Sequence, residues 1–526
     1  MPSHRFRAAL LFLGAGICFG ASDQTCAVSG EVVDSRSGAR LPRVHVIFKD
    51  PADKTGLQYG ALTREDGTFS VEGLKPATYT VSGERVGFAM PRGAKGHAAV
   101  TVAAKKEPSH FRLELVPVGS ISGRITDAGG NSLEGATVGV EGAIRKEVTT
   151  DENGQYRIGG LTPGKYRVKA SHGATLERMF QIRPEILADG SREIFNATTF
   201  YPGVVGRKQG GRVEVRAGEE SRDTDIQLIG LPFVRISGKV PEMPPGTRDP
   251  YVNVGSREGW GAGVPMKPDG SFEIWGLDPG PYWLSASWQD PRGTETLLGK
   301  RMGTAVVQIE VGTSNIDNME LRVVPDSDIA GSISTDQVIP SNGQKTITLR
   351  QFRSGYPIGT PAPVGPDGKF RLEHVAAGKY IVSLSWDSAY VRSLRLGAST
   401  SEGAVLDLSH GSAGGDLVVE LSPEVASVSG TVRDAQGKGV KARVILIQNY
   451  DDSVPLWREV RTEPNGGYTF GNTAPGAYRI VAIPEDELDV VRASDLEDYE
   501  ESMSALEVQS GEKRLLDLDR TSGIEN

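Results

Sequence analysis

With 526 residues, 38% of them apolar, and 66 glycines and 31 prolines, the chain is rich in turns. It is still apolar enough to build several folded cores rather than a disordered polymer. Its 58 basic and 67 acidic residues leave a net charge of −9 with no basic block, which argues against nucleic acid as a partner.

At the start, Arg5 and Arg7 precede an apolar run over 8–19 and then the small residues Gly20, Ala21 and Ser22. This is the pattern of a secretory signal peptide, placed at 1–21 and cleaved between Gly20 and Ser22. The run is shorter than the roughly 20 residues a membrane span needs. A lipid anchor at Cys18 is the alternative, with bulky Ile17 where that signal wants a small residue. Cleavage leaves Cys26 as the lone cysteine and excludes an intramolecular disulfide. An exported chain, whether secreted, periplasmic or held at the cell surface, must then be stabilised by its cores.

The first predicted strand, Val28-Ser29-Gly30-Glu31-Val32, recurs as Ile121-Ser122-Gly123-Arg124-Ile125 and Val428-Ser429-Gly430-Thr431-Val432, with looser versions at 236–240 and 329–333. The glycine shares a face with the apolar residues, which suits close approach of another backbone. A second alternating run follows each start, as in Val44 and Val46, or Val138 and Val140. Then comes Asp/Asn-Gly, a spacer and an aromatic: Asp66-Gly67-Thr68-Phe69, Asn153-Gly154-Gln155-Tyr156, Asp269-Gly270-Ser271-Phe272, Asp367-Gly368-Lys369-Phe370 and Asn465-Gly466-Gly467-Tyr468. The Asp/Asn-Gly pair supplies a tight turn and the aromatic opens a short strand. Twelve residues after each of these glycines stands a tyrosine, at 79, 166, 282, 380 and 478. A repeat kept in register five times sets the architecture before any single residue is interpreted.

Each copy closes with a further alternating strand, such as Phe111-Leu113-Leu115 or Leu417-Val419-Leu421, and prolines follow at 117, 232, 325 and 423. The predicted fold is all-β: five sandwich domains in tandem at 26–117, 118–232, 233–325, 326–423 and 424–520, spaced by stiff linkers into a rod or a bent string. The pattern of Ser-Gly-x-Val, Asp-x-x-Gly-x-Tyr and Leu-x-Pro-Gly-x-Tyr-x-Val resembles the carboxypeptidase regulatory-like domain. It is fullest in the second copy, at Asp151, Gly154, Tyr156, Leu161, Pro163, Gly164 and Tyr166. The resemblance implies transthyretin-like, Ig-like sandwiches grouped with starch-binding-like folds, and it specifies fold far more than function.

Two stretches depart from the plain repeat. The second copy carries an insertion between Lys169 and Ile226 that reads as a long structureless loop and includes Tyr201. The fifth carries an acidic segment at 485–507 in which Leu496, Tyr499, Met503 and Leu506 fall at helical spacing, read as a short capping helix with a solvated acidic face.

Catalytic patterns are missing. No HxxH or HExxH occurs among the seven histidines, and Gly119-Ser120-Ile121-Ser122-Gly123 puts Ile where a hydrolase elbow needs its nucleophile. No nucleotide-binding loop is present, so the expectation is a protein that is not an enzyme and has no catalytic residues. The one metal worth weighing is calcium, at Asp151 and Asn153. A turn explains all five copies of that motif, whereas calcium explains one.

Ligand candidates are aromatic. Trp260, Trp275, Trp283 and Trp288, four of the six tryptophans, lie in the third copy. Alternation turns Trp275 and Trp283 outward on two strands expected in different sheets, and outward indoles need a cover, whether a sugar ring or a neighbouring domain. Trp275, Trp283, Trp260 and Tyr201 are therefore the candidate ligand residues. The expected function is a monomeric, non-catalytic binding module or scaffold whose partner is an extracellular glycan or a surface protein. The alternatives are a plain stalk and an accessory portion of an enzyme or receptor system.

Overall fold

The computed structural model describes residues 26–521 apart from 92–97, 104–108, 174–183, 192, 242, 244–246, 257–260, 290–300, 305, 325, 337–343, 353–356, 386–387, 413, 449–455, 486–487, 489–490 and 492. The segment read as a signal peptide and Trp260 lie outside the described residues. The chain divides into two compact units, Met1–Pro117 and Val118–Asn526, each described by itself.

In the first unit the strand Cys26–Asp34 lies between Thr68–Leu74, antiparallel, and Ser109–Pro117, parallel. A second sheet runs Gln58–Leu62, His45–Lys49, Ala77–Glu84, Ala98–Val102. Val28, Val32, Val46, Phe48, Phe69, Tyr79, Val81, Leu113 and Leu115 fill the space between the sheets. These are the inward residues of alternating strands, so period-two patterning and the core coincide.

The second unit repeats this plan four times. Gly119–Thr126, Arg235–Lys239, Ser327–Thr335 and Ala426–Arg433 each pair antiparallel with the strand after the Asp/Asn-Gly turn and parallel with a late strand. Each has a partner sheet and a separate buried core. We number the five sandwiches in chain order.

Three sequence features have local reasons. The turn glycine takes a φ of 72° to 85° at Gly154, Gly270, Gly368 and Gly466, a region that other residues enter at a cost. The starting-strand glycine lets two neighbours in at once: a Cβ on Gly123 would strike the Thr224 carbonyl, and one on Gly238 or Gly331 would meet the ring of Phe272 or Phe370. Where the first aromatic is tyrosine, its hydroxyl donates to that late-strand backbone, Tyr156 to the Thr224 carbonyl and Tyr468 to the Leu516 carbonyl, both at 2.6 Å.

The second tyrosine explains the fixed spacing of twelve. Its ring is buried and its hydroxyl donates to the carbonyl four residues earlier: Tyr79 to Lys75, Tyr166 to Thr162, Tyr282 to Asp278, Tyr380 to Ala376 and Tyr478 to Ala474, at 2.6–3.0 Å. Burial pushes the Tyr380 phenol up to about 12, so it stays a neutral donor. This is a tyrosine corner that closes the turn between two strands. Tyr166→Phe is expected to cost about 1 kcal/mol by leaving the Thr162 carbonyl short of a donor, measured as a lower urea midpoint at unchanged slope.

Two expectations change. The 169–226 insertion is not structureless: it holds the strands Ile194–Asn196, Thr199–Phe200, Arg212–Val215 and Glu220–Ser221 and a 3₁₀ turn at Arg207–Gln209. Strands of only two to four residues, separated by Gly and Pro, carry too short an alternation to be seen in sequence. The sandwiches of the second unit are also not strung end to end on bare linkers. Gly230–Pro232, at the end of sandwich 2, pairs with Ile194–Asn196, and sandwich 5 meets sandwich 2 directly.

Candidate functional site

The acidic segment of sandwich 5 folds as a helical turn, Ala493–Leu496, followed by a 3₁₀ turn, Glu497–Ser502. Leu496 and Tyr499 are buried on the outer face of their own sheet against Ile445, Ile447, Val481 and Ile483, while Leu506 belongs to the strand Ser504–Val508 and the inner core. The predicted helical side is thus half right. The expected solvated acidic face holds for Glu500, Glu501 and Glu507, which are exposed, but not for Asp495 and Asp498, whose side chains are only 2% and 8% exposed.

They are buried against sandwich 2. On the strand Gly164–Ser171, Arg167 faces outward directly opposite Arg212 of the neighbouring strand, a like-charge pairing that is unfavourable alone. Asp498 resolves it. Arg167 donates to both its oxygens at 3.0 and 2.9 Å, and Arg212 lies 2.8 Å from Oδ2. Arg207, from the 3₁₀ turn, reaches Asp498 at 3.1 Å, Asp495 at 3.4 Å and Glu141 at 3.0 Å. Arg145 closes the cluster at 2.6 Å from Asp495, and Lys169 sits 3.0 Å from Glu141.

Burial alone would push the Asp498 carboxyl up. The Arg167 hydrogen bond and the charges of Arg207, Arg167 and Arg212 outweigh it and hold the group below its ordinary value. Burial likewise opposes ionisation of Glu141, but Lys169 and Arg207 bring it down to about 2. Both folded values are depressed, so the stabilisation they give is complete above the ordinary carboxylate range and disappears as pH falls through the folded values. The joint is expected to hold through the ordinary carboxylate range and to weaken only at more acid pH, as Asp498 protonates, checked by small-angle scattering across an acid titration.

None of these residues follows from a sequence motif. The available signal is that Arg167 stands at the outward position occupied by Thr80, Trp283, Ile381 and Arg479 in the other sandwiches, while the acidic segment is unique to the fifth.

The sequence-predicted residues are dispersed. Trp275, on Ser271–Trp275, belongs to one sheet of sandwich 3 and Trp283, on Gly280–Gln289, to the other. Trp275 packs against a small cluster of Phe195, Ala197 and Phe233, so sandwich 2 supplies its cover. Nearby, Thr198 Oγ1 donates to Asp278 at 2.8 Å. Arg235 lies 6.0 Å above the Trp275 ring. Tyr201 packs on the core of sandwich 2. Trp288 is fully buried. Trp283 is half-buried on an outer sheet face.

Asp151 Oδ1 accepts the backbone N–H groups of Asn153 at 2.9 Å and Gln155 at 2.8 Å, which makes it a turn staple. The same service comes from Asp66 to Thr68, Asp269 to Ser271, Asp367 to Lys369 and Asn465 to Gly467. Asp151→Ala is expected to lower the melting temperature of sandwich 2 by the same amount in calcium and in EDTA. A calcium-dependent difference would instead make Asp151 and Asn153 ligands. Among the described residues no group of three or more His, Cys, Asp or Glu is placed to hold a metal ion, and no helix is long and apolar enough to cross a membrane.

The family model agrees with the fold of the first sandwich. Residues 27–114 and 120–185 match the model of the carboxypeptidase regulatory-like domain. A curated relative is the BOS complex subunit NOMO1 of Mus musculus, 24% identical over 226 residues, which is 42% of this chain; the match spans 16% of that protein's length. Among solved structures, the Bacillus anthracis TIE protein is similar at 12% identity, with 76% of this chain and 74% of that one covered and a TM-score of 0.17. A Streptococcal ancillary pilin is similar at 14% identity, with 57% and 99% covered and a TM-score of 0.21. The family match thus covers the first sandwich and the first part of the second, where the chain is similar to the carboxypeptidase regulatory-like domain.

Proposed function

We propose that the chain is a non-catalytic scaffold of the cell exterior that carries a glycan-binding surface. The observation that supports this is the use made of the outer sheet faces. In sandwich 2 that face docks Asp495 and Asp498, and in sandwich 5 it is covered by the segment at 493–502. In sandwich 3 the matching outward position holds Trp283. A fold that docks partners on this face in two places offers the same geometry to a ligand in a third, and functional chemistry on such scaffolds resides in surface residues rather than in the fold.

The test is a glycan array and insoluble-polysaccharide pull-down with the mature full chain, reading tryptophan fluorescence. Retention with a fluorescence change supports the reading, and silence on every glycan removes it. A purely structural stalk is the second reading, favoured by Trp275, whose cover is protein. Silence on glycans together with an intact joint between sandwiches 2 and 5 is its expected result.

A further inference from the structure

The outer face of the larger sheet in sandwich 3 has a composition of its own. Tyr282, Leu284, Ala286 and Trp288 point inward and are buried, which turns Trp283, Ser285 and Ser287 outward. On the adjacent strand, Tyr251 lies opposite Ser287, Asn253 opposite Ser285, and Gly255 opposite Trp283. On the other side Trp283 faces Gln308.

Gly255 decides how the indole lies. A Cβ there would collide with Cε2, Nε1 and Cζ2 of Trp283, so the indole lies against the bare backbone of Gly255 while the residue stays partly exposed. Asn253 Nδ2 donates to Ser287 Oγ at 2.9 Å, which fixes the amide along the face, toward the Ser287 end. Tyr251 is 39% exposed at the far end. From Trp283 to Ser287 the strand spans about 14 Å at roughly 3.4 Å per residue, enough for more than one sugar ring.

Charge sets the ligand class. Along Tyr251–Gly255 and Trp283–Ser287 every outward side chain is aromatic, amide, hydroxyl or absent. The corresponding face of sandwich 2 holds Glu141, Arg167, Lys169 and Arg212 and takes carboxylates. An acidic ligand would find no cation among these residues of sandwich 3, whereas a neutral polyol finds a stacking surface flanked by donors and acceptors.

We propose that this face binds a neutral oligosaccharide lying along the strands, with one ring stacked on Trp283. The proposal rests on the glycan reading above and specifies its site and ligand class. The experiment titrates the full mature chain with cello-, malto-, xylo- and manno-oligosaccharides and with polygalacturonate, by calorimetry and tryptophan fluorescence. The variants are Trp283→Ala, Asn253→Ala and Trp275→Phe, each checked for an unchanged thermal unfolding profile.

The expected result is binding of at least one neutral series and not of polygalacturonate. That binding should weaken at least tenfold in Trp283→Ala and severalfold in Asn253→Ala, and stay unchanged in Trp275→Phe. Neutral-glycan binding that survives both Trp283→Ala and Asn253→Ala overturns this site while leaving the glycan reading in place. A preference for polygalacturonate overturns the ligand class. Failure of every glycan, acidic or neutral, overturns both. Should Trp283→Ala unfold, Asn253→Ala alone decides, since its side chain is partly exposed and its loss opens no core cavity.

Discussion

Asp498→Ala is expected to open the joint between sandwiches 2 and 5. The carboxylate is the shared partner of Arg167, Arg207 and Arg212, whose side chains are 6%, 9% and 9% exposed. Removing it leaves three guanidinium groups crowded together with little water, two of them directly opposite across adjacent strands. Breaking one side of a buried pair costs about 3–5 kcal/mol, mostly as the penalty on the charges left behind. Separation of the two surfaces lets water in and relieves that penalty. The observable is therefore a larger maximum dimension by small-angle scattering, with protease cleavage appearing in 493–502. An unchanged scattering profile would refute the joint. Glu214→Ala is the control: its partner Arg216 is 64% exposed, and such pairs contribute at most about 1 kcal/mol.

Gly430→Ala is expected to have the second large effect. The glycine sits in Ala426–Arg433, and a methyl there would meet the carbonyl oxygen and carbon of Leu516 and the amide of Asp517. All three are backbone atoms of the late strand, which cannot move aside by changing a rotamer. That strand is held by the parallel pairs Val432 to Leu518 and Ser429 to Leu515 and by the Tyr468 hydroxyl on the Leu516 carbonyl. Relief of the clash means losing these bonds, at about 3 kcal/mol or more. Gly471→Ala, in the same sandwich with nothing near its missing methyl, should change stability little. Equal melting temperatures for the two variants would show that the close approach does not constrain the fold.

Much of the fold was legible because its signals are local and repeated. Asp/Asn-Gly turns, alternating apolar residues and the tyrosine twelve residues later each have a reason within a few residues of themselves, and five copies make them stand out. The glycine of the starting strand was read as a point of backbone approach, which is how Gly123 and Gly430 serve. The joint was not legible, because its charges lie far apart in the chain. Arg167 and Asp498 are 331 positions apart, and each alone resembles an ordinary solvated charge. Leu496 and Tyr499 announced a buried side, but nothing local shows that Asp495 and Asp498 are buried too. Outwardness was readable for both Trp275 and Trp283. What covers Trp275 was not, because Phe195 comes from an insertion whose strands are only two to four residues long.

The joint also changes how the second unit carries load. Sandwich 2 touches sandwich 3 at Thr198 and Asp278, and sandwich 5 touches sandwich 4 at Tyr390 and Ser510. The Arg–Asp joint then connects 2 to 5 across the gap. Tension applied at residues 118 and 521 is therefore shared between two routes, one through the ionic joint and one through sandwiches 3 and 4.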